Sequence, residues 1–134
     1  MQKMCPVVHF EMPAESRERM RKFYEDVFGW KTQQLGKEMG DYVLVETTET
    51  EKSEGMTGGR SKIPGAINGG FYQKMDDPTM QYLSVVISVE DLDASIKSVE
   101  AAGGRISGEI MMIPNVGRFV SVIDTEGNRV SMLQ

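Results

Sequence analysis

Tyr82-Leu-Ser-Val-Val-Ile-Ser-Val89, followed by Glu90-Asp91-Leu-Asp-Ala-Ser-Ile96-Lys-Ser-Val99-Glu-Ala-Ala-Gly103-Gly104, decides the fold, because residues 7–29 carry the same pattern. Tyr82–Val89 is rich in β-branched residues and reads as a strand. Asp91 is suited to cap a helix N-terminus, and Leu92, Ile96 and Val99 recur at i, i+4 and i+7. Gly103-Gly104 ends that helix. Earlier in the chain, Val7–Met12 alternates, with Val8, Phe10 and Met12 on one face and Val7, His9 and Glu11 on the other. Pro13 is expected to end this strand, since it cannot donate to a sheet ladder. Ser16 is the cap of a helix running to about Phe28, with an apolar stripe of Met20, Phe23, Tyr24 and Val27, and Gly29 stops it.

The two stretches align with one offset. His9 matches Ser84, Ser16 matches Asp91, Tyr24 matches Val99 and Gly29 matches Gly104, each pair 75 positions apart. The match is imperfect, because Arg17 and Arg21 fall opposite Leu92 and Ile96. The rest of each half completes the repeat. Trp30–Gln34, Tyr42–Glu46 and the short Asn68–Gln73 read as strands, with a turn at Gly36–Gly40 and a break at Asp76-Asp77-Pro78. Arg105–Ile113, Gly117–Asp124 and Asn128–Leu133 are three further strands, the last pair joined at Thr125-Glu-Gly-Asn128, where Gly and Asn suit positive φ. The chain is therefore read as one domain over residues 1–134, an α+β fold of two tandem βαβββ modules, 1–75 and 80–134.

Composition bounds the partners. Hydrophobic residues at 40% and charged residues at 26% of 134 are globular values. No apolar run approaches the roughly 20 residues of a membrane span, and the N-terminus lacks an export h-region. A single cysteine, Cys5, excludes an intrachain disulfide and fits a reducing, cytoplasmic location. A net charge of -5 disfavours nucleic acid, and the one basic cluster, Arg17, Arg19, Arg21 and Lys22, reads as a solvated helix face. The polar stretch 47–66 is expected as a long loop. Its Gly55-Met-Thr-Gly-Gly-Arg-Ser-Lys62 lacks the spacing of a phosphate-binding loop and is rejected as a nucleotide site. Met, at 11 residues, suits irregular cores.

The duplicated unit resembles the vicinal-oxygen-chelate superfamily of glyoxalases, bleomycin-resistance proteins and dioxygenases. Phe23-Tyr-Glu-Asp-Val-Phe-Gly-Trp30 is similar to the end of that family's first helix, and Val89-Glu-Asp-Leu-Asp-Ala94 to the start of its second. Asp124-Thr-Glu-Gly-Asn128 resembles the family's Asp-Pro-x-Gly-Asn turn, with Thr125 in place of Pro. The resemblance implies a curved, cup-like mixed sheet with the helices outside and a ligand site within. It places His9 and Glu11 in the cup, while Val8, Phe10 and Met12 pack under the helix. In the second module, Ser84 and Val86 face the cup, and Val85, Ile87 and Val89 the helix.

Metal-dependent members of that family bind a divalent ion through His, Gln or Glu at four strand positions. Here those positions hold His9, about Gly70, Ser84 and Ser131, and only His9 is a competent ligand. Glu11 shares a strand face with His9, as Cys5 would if the strand reached back across Pro6, but i and i+2 residues stand about 6.5–7 Å apart and converge poorly on one ion. No metal and no cofactor is expected. Ligand-contacting residues are expected at His9, Glu11, Tyr72, Ser84 and Ser131, with the phenol of Tyr72 lining the cup or its rim. His9 equally fits the role of an ordinary hydrogen-bonded strand residue. The only histidine and no evident Ser-His-Asp set leave a nucleophilic serine without support.

The expected function is metal-independent binding of a small organic molecule. The alternative is a lyase or isomerase of the glyoxalase type, using a divalent metal or His9 or Glu11 as general base. A protein-interaction module with a vestigial cup is a third possibility, since one scaffold hosts many functions. Neither nucleic acid nor membrane is expected as a partner, and a homodimer is implied by the resemblance.

Overall fold

The structure, a computed structural model, describes residues 3–51 and 60–134. The glycine-rich stretch 55–59 lies outside the described residues. Contacts divide the chain into two compact units, His9–Leu83 and Met1–Val8 with Ser84–Gln134. The first strand, β1, spans Val7–Ala14.

In the unit His9–Leu83, α1 (Arg17–Phe28) is followed by β2 (Lys31–Gln34), β3 (Val43–Glu46), a small pair of strands, β4 (Thr50–Glu51) and β5 (Arg60–Ser61), and then β6 (Gly69–Gln73). The sheet order is β2-β3-β6-β1, with β1 and β6 parallel and the other neighbours antiparallel. The α1 boundaries follow from its caps. The Ser16 hydroxyl accepts from the Arg19 N–H, and Gly29 takes a left-handed conformation at φ 70°.

Ala14, Val43, Val45 and Phe71 form a buried core, with Phe10, Met12, Met20, Tyr24 and Trp30 packed against it. Tyr24 and Trp30 stack with ring centroids 4.6 Å apart. The parity read for β1 holds here: Phe10 and Met12 lie on the core side, whereas His9 and Glu11 are buried on the opposite face. Burying each large apolar side chain contributes about 1.5–3 kcal/mol.

Three expectations are corrected. Pro13 does not end β1, which continues to Ala14. Phe10 donates to the Asn68 carbonyl, so in the parallel ladder the even-numbered residues direct their N–H groups at β6 and Pro13 does not. No bond to β6 is lost. The apolar stripe of α1 is not wholly covered: Met20 and Tyr24 meet the core, while Phe23 and Val27 are 53% and 57% exposed. Within the expected loop 47–66, β4 and β5 pair antiparallel, with the Thr48 and Ser61 hydroxyls 2.8 Å apart.

In the other unit, β7 (Ser84–Ser88) leads into α2 (Leu92–Ala101), then β8 (Arg105–Ile113), β9 (Gly117–Ile123) and β10 (Arg129–Leu133). The sheet order is β7-β10-β9-β8, with β7 and β10 parallel. The N-terminal segment joins this unit, where Ser88 donates to the Pro6 carbonyl and Lys3 pairs with Glu90. Asp91 caps α2 by accepting from Ala94. The core is Val89, Leu92, Val120, Val122 and Met132, with Ile87, Ile96, Val99, Ile106 and Val130 against it.

The 75-residue offset slips at the helix end. Gly103, not Gly104, is left-handed, at φ 96°. Gly104 is required for another reason: a Cβ there would lie 2.9 Å from Val99 Cγ1 and 3.0 Å from the Ile123 carbonyl. In the last turn only Gly127 has positive φ, and the Asp124 carboxylate accepts from the Glu126 and Asn128 N–H groups. Among the described residues no helix is long and apolar enough to cross a membrane.

Candidate functional site

The sheet face turned away from α1 collects the polar residues of the first unit. In the β3–β6 ladder Leu44 pairs with Gly70, and in the β1–β6 ladder Glu11 pairs with Gly70. Paired residues share a face, so Glu11, Gly70 and Leu44 lie side by side on it, with His9 two residues along β1. His9 is 2% exposed and Glu11 7% exposed. Because the α1 side of the sheet is filled by Phe10, Met12, Phe71 and Val43, these polar groups are forced to the other side by the period of two alone.

Tyr42 ties this face together. Its hydroxyl lies 2.9 Å from His9 Nε2. To reach β1 from the start of β3, the phenol must pass over the intervening strand β6. Gly70 makes room for it: a Cβ built there would lie 2.0 Å from Tyr42 Oη and 2.1 Å from Cζ. No residue with a side chain fits at position 70 while Tyr42 holds this place.

Burial pushes the His9 imidazole down to about 4, so the ring is neutral at pH 7. Its Nδ1 is buried and makes no hydrogen bond within the described residues. A neutral imidazole with so low a pKa is a weak base. Glu11, buried on the same strand face, is a second residue there with acid–base chemistry.

Tyr72 is also buried, and its hydroxyl donates to the Tyr82 carbonyl at 2.7 Å. This bond fastens the segment after β6 to the strand.

In the second unit Ser84 and Ser131 are buried, as are Val86 and the core valines. Ser84 donates to the Arg129 carbonyl at 2.9 Å. Ser131 pairs with Ser121 across β10–β9, their hydroxyls 3.3 Å apart, and Ser107 pairs with Ser121 across β8–β9. Three serines thus stand in one cross-strand row on the face away from α2. Arg129 Nη1 lies 3.4 Å from the Ser121 hydroxyl.

The divalent metal implied by the resemblance does not fit these residues. Of the four positions, Gly70 has no side chain and its space is occupied by a phenol, while Ser84 and Ser131 offer neutral hydroxyls engaged with Arg129 and Ser121. The remaining ligand, His9, directs Nε2 at Tyr42. A catalytic ion needs about three protein ligands, and among the described residues no cluster of three His, Cys, Asp or Glu is present. Cys5 is exposed, with its thiol 3.8 Å from the Lys3 carbonyl.

Sequence reasoning located His9, Glu11, Tyr72, Ser84 and Ser131 on the strands described, but missed Tyr42, Ser107, Ser121 and Arg129. Tyr42 precedes β3 by one residue, and only the tertiary path over Gly70 connects it to His9. The serine row was in principle readable, since strand parity places Ser121 and Ser131 opposite each other once the final hairpin turn is recognised.

Comparison of the sequence with known proteins gives a family. Residues 7–132 match the Glyoxalase/Bleomycin resistance protein/Dioxygenase superfamily. A glyoxylase-like domain-containing protein of Didymella fabae is 34% identical over 121 residues, covering 88% of this chain and 84% of that protein. Among solved structures, a superfamily member from Vibrio splendidus aligns over 98% of this chain and 99% of its own, with TM-score 0.62 and 13% identity. Methylmalonyl-CoA epimerase from Streptomyces coelicolor, in complex with 2-nitronate-propionyl-CoA, aligns over 98% and 97% with TM-score 0.64 and 14% identity. At these identities the structural likeness is one of fold.

Proposed function

Because the chain belongs to the Glyoxalase/Bleomycin resistance protein/Dioxygenase superfamily, we propose that it binds a small organic molecule without a divalent metal. The observation that carries this reading is Tyr42 seated over Gly70, which puts a phenol where a ligand side chain would have to stand. The proposed ligand-contacting residues are His9, Glu11 and Tyr72 in the first module and, taken separately, Ser84 and Ser131 in the second. Half-buried Leu44 beside Gly70 supplies apolar contact. Sites of this kind owe affinity to apolar burial and orientation to a few polar groups. The protein is proposed to act in the cytoplasm as a homodimer, with neither nucleic acid nor membrane as partner; sedimentation velocity tests the dimer.

The test is the metal content of protein purified without a His tag, with melting curves in zinc, nickel, manganese or iron(II) and then against a small-molecule library in chelator. Expected are no bound metal, no saturable metal shift and library hits that persist in chelator. Stoichiometric metal, or saturable stabilisation of a few kcal/mol at excess ion, sinks the metal-free reading.

A second reading, a lyase or isomerase of the glyoxalase type, draws on the buried Glu11 carboxylate as general base beside a bound carbonyl compound. Deuterium exchange next to the carbonyl of a bound compound, abolished in Glu11→Gln, supports it. Exchange that survives in Glu11→Gln removes Glu11 from that role.

A further inference from the structure

The basic residues at the start of α1 are not equivalent. Arg17 donates to the Gly40 carbonyl, Arg21 to the Thr32 hydroxyl and Lys22 to the Asp26 carboxylate. The Arg19 guanidinium has no such partner among the described residues. It lines a cleft of about 480 Å³ on the α1 side of the sheet.

The cleft follows from how the chain turns. β1 ends at Ala14 and α1 begins at Arg17, while the backbone N–H of Lys74, just past β6, donates to the Ala14 carbonyl. The end of β1, Lys74 and the first two turns of α1 therefore line one space, with Pro13, Met20, Phe23 and Tyr24 as its apolar part. Met20 and Tyr24 also pack on the core, but Phe23 stays 53% exposed. Its ring meets Tyr24 edge-on, with centroids 5.0 Å apart, which fixes that wall. Arg19 lies four residues before Phe23 and so beside it on the helix surface.

Charge adds to shape. Lys74 supplies a second cation, and its pair with Glu15 spans 3.8 Å between solvated side chains, which makes it a weak one. A guanidinium matches a carboxylate through two parallel N–H donors. Small-molecule sites run from about 300 to 1,000 Å³ and combine apolar walls with a few polar groups.

We infer that this cleft is a second ligand site, on the face of the sheet opposite His9 and Glu11, and that it takes a small carboxylic acid with an aromatic body. The carboxylate meets Arg19 with Lys74 nearby, and the body lies against Phe23 and Pro13. The site is separate from the one proposed above and stands or falls without it.

The test follows backbone amide shifts during titration with 3-phenylpropionate and with its neutral amide, 3-phenylpropanamide. The acid is expected to shift residues 13–24 and 73–75 and to bind there about fivefold tighter than the amide, with the preference shrinking as ionic strength rises. Arg19→Gln should abolish the preference. Its fold should be intact, since Arg19 has no protein partner to lose, and an unchanged melting curve verifies this. Lys22→Gln removes the same charge from the same helix away from the cleft and should keep the preference. Phe23→Ser should weaken acid and amide alike.

Equal binding of acid and amide, a preference that survives in Arg19→Gln, or one lost equally in Lys22→Gln overturns the inference. So does the absence of shifts at residues 13–24 and 73–75. Shifts confined to the strand face of His9 and Glu11 overturn it too, while supporting the ligand site proposed there.

Discussion

The Tyr42 hydroxyl meets His9 Nε2 at 2.9 Å by crossing the backbone of Gly70, so two residues 33 positions apart are joined through a third that contributes only the absence of a side chain. Gly70→Ala should expel the phenol, since the added Cβ would fall 2.0 Å from Tyr42 Oη. The expected destabilisation is about 1–3 kcal/mol, from crowding and the lost hydrogen bond together. Urea unfolding of Gly70→Ala, Tyr42→Ala and the double variant checks this. The two effects should be strongly less than additive, because the alanine methyl has little to strike once the ring is gone. Full additivity would disprove the contact.

His9 makes the stability pH-dependent in a stated direction. Burial lowers its folded-state pKa to about 4, below the unfolded value near 6.5. Between these values the unfolded chain binds the proton and the folded chain does not. The contribution is thus complete above pH ~6.5 and is lost progressively as pH falls toward 4, amounting to about 3 kcal/mol. Unfolding free energies at pH 7 and 4.5 measure the slope, and in His9→Asn this component should vanish. The single histidine C2 proton resonance should barely move between pH 8 and 5; a titration centred near 6.5 would contradict the burial argument.

The helix caps should cost similar amounts when removed. Ser16 accepts from the Arg19 N–H and Asp91 from the Ala94 N–H. Ser16→Ala and Asp91→Ala are each expected to lower stability by about 1 kcal/mol. Chemical denaturation with an unchanged m-value is the check. Asp91→Asn, which keeps a capping oxygen, should recover most of the loss.

Tyr72→Phe should reveal a fastening bond. Removing the hydroxyl that donates to the Tyr82 carbonyl should cost about 1 kcal/mol and raise amide exchange in residues 78–83. No change in exchange there would mean that the segment is held by other contacts.

The alternation of residues 7–12, the two capped helices and the glycines after them were legible because each is a local rule. Strand parity sends Phe10 and Met12 one way and His9 and Glu11 the other, whatever the partner strands are. Pro13 misled for the same reason. A proline reads locally as a strand end, yet the cost depends on which neighbour its missing N–H would have faced, and the β1–β6 ladder does not use it. Phe23 and Val27 misled because a helical stripe gives the apolar side of α1 but not how far the sheet extends beneath it.

The sequence by itself determined the α+β class, the βαβββ duplication and the caps, since all of these are properties of spacing and residue type. Only the tertiary structure decided what occupies the space over Gly70. A glycine in a strand records that something approaches closely, but not what approaches. The answer, a phenol delivered from β3 across β6 to an imidazole on β1, depends on strand order and register, which arise from packing between segments far apart in the chain.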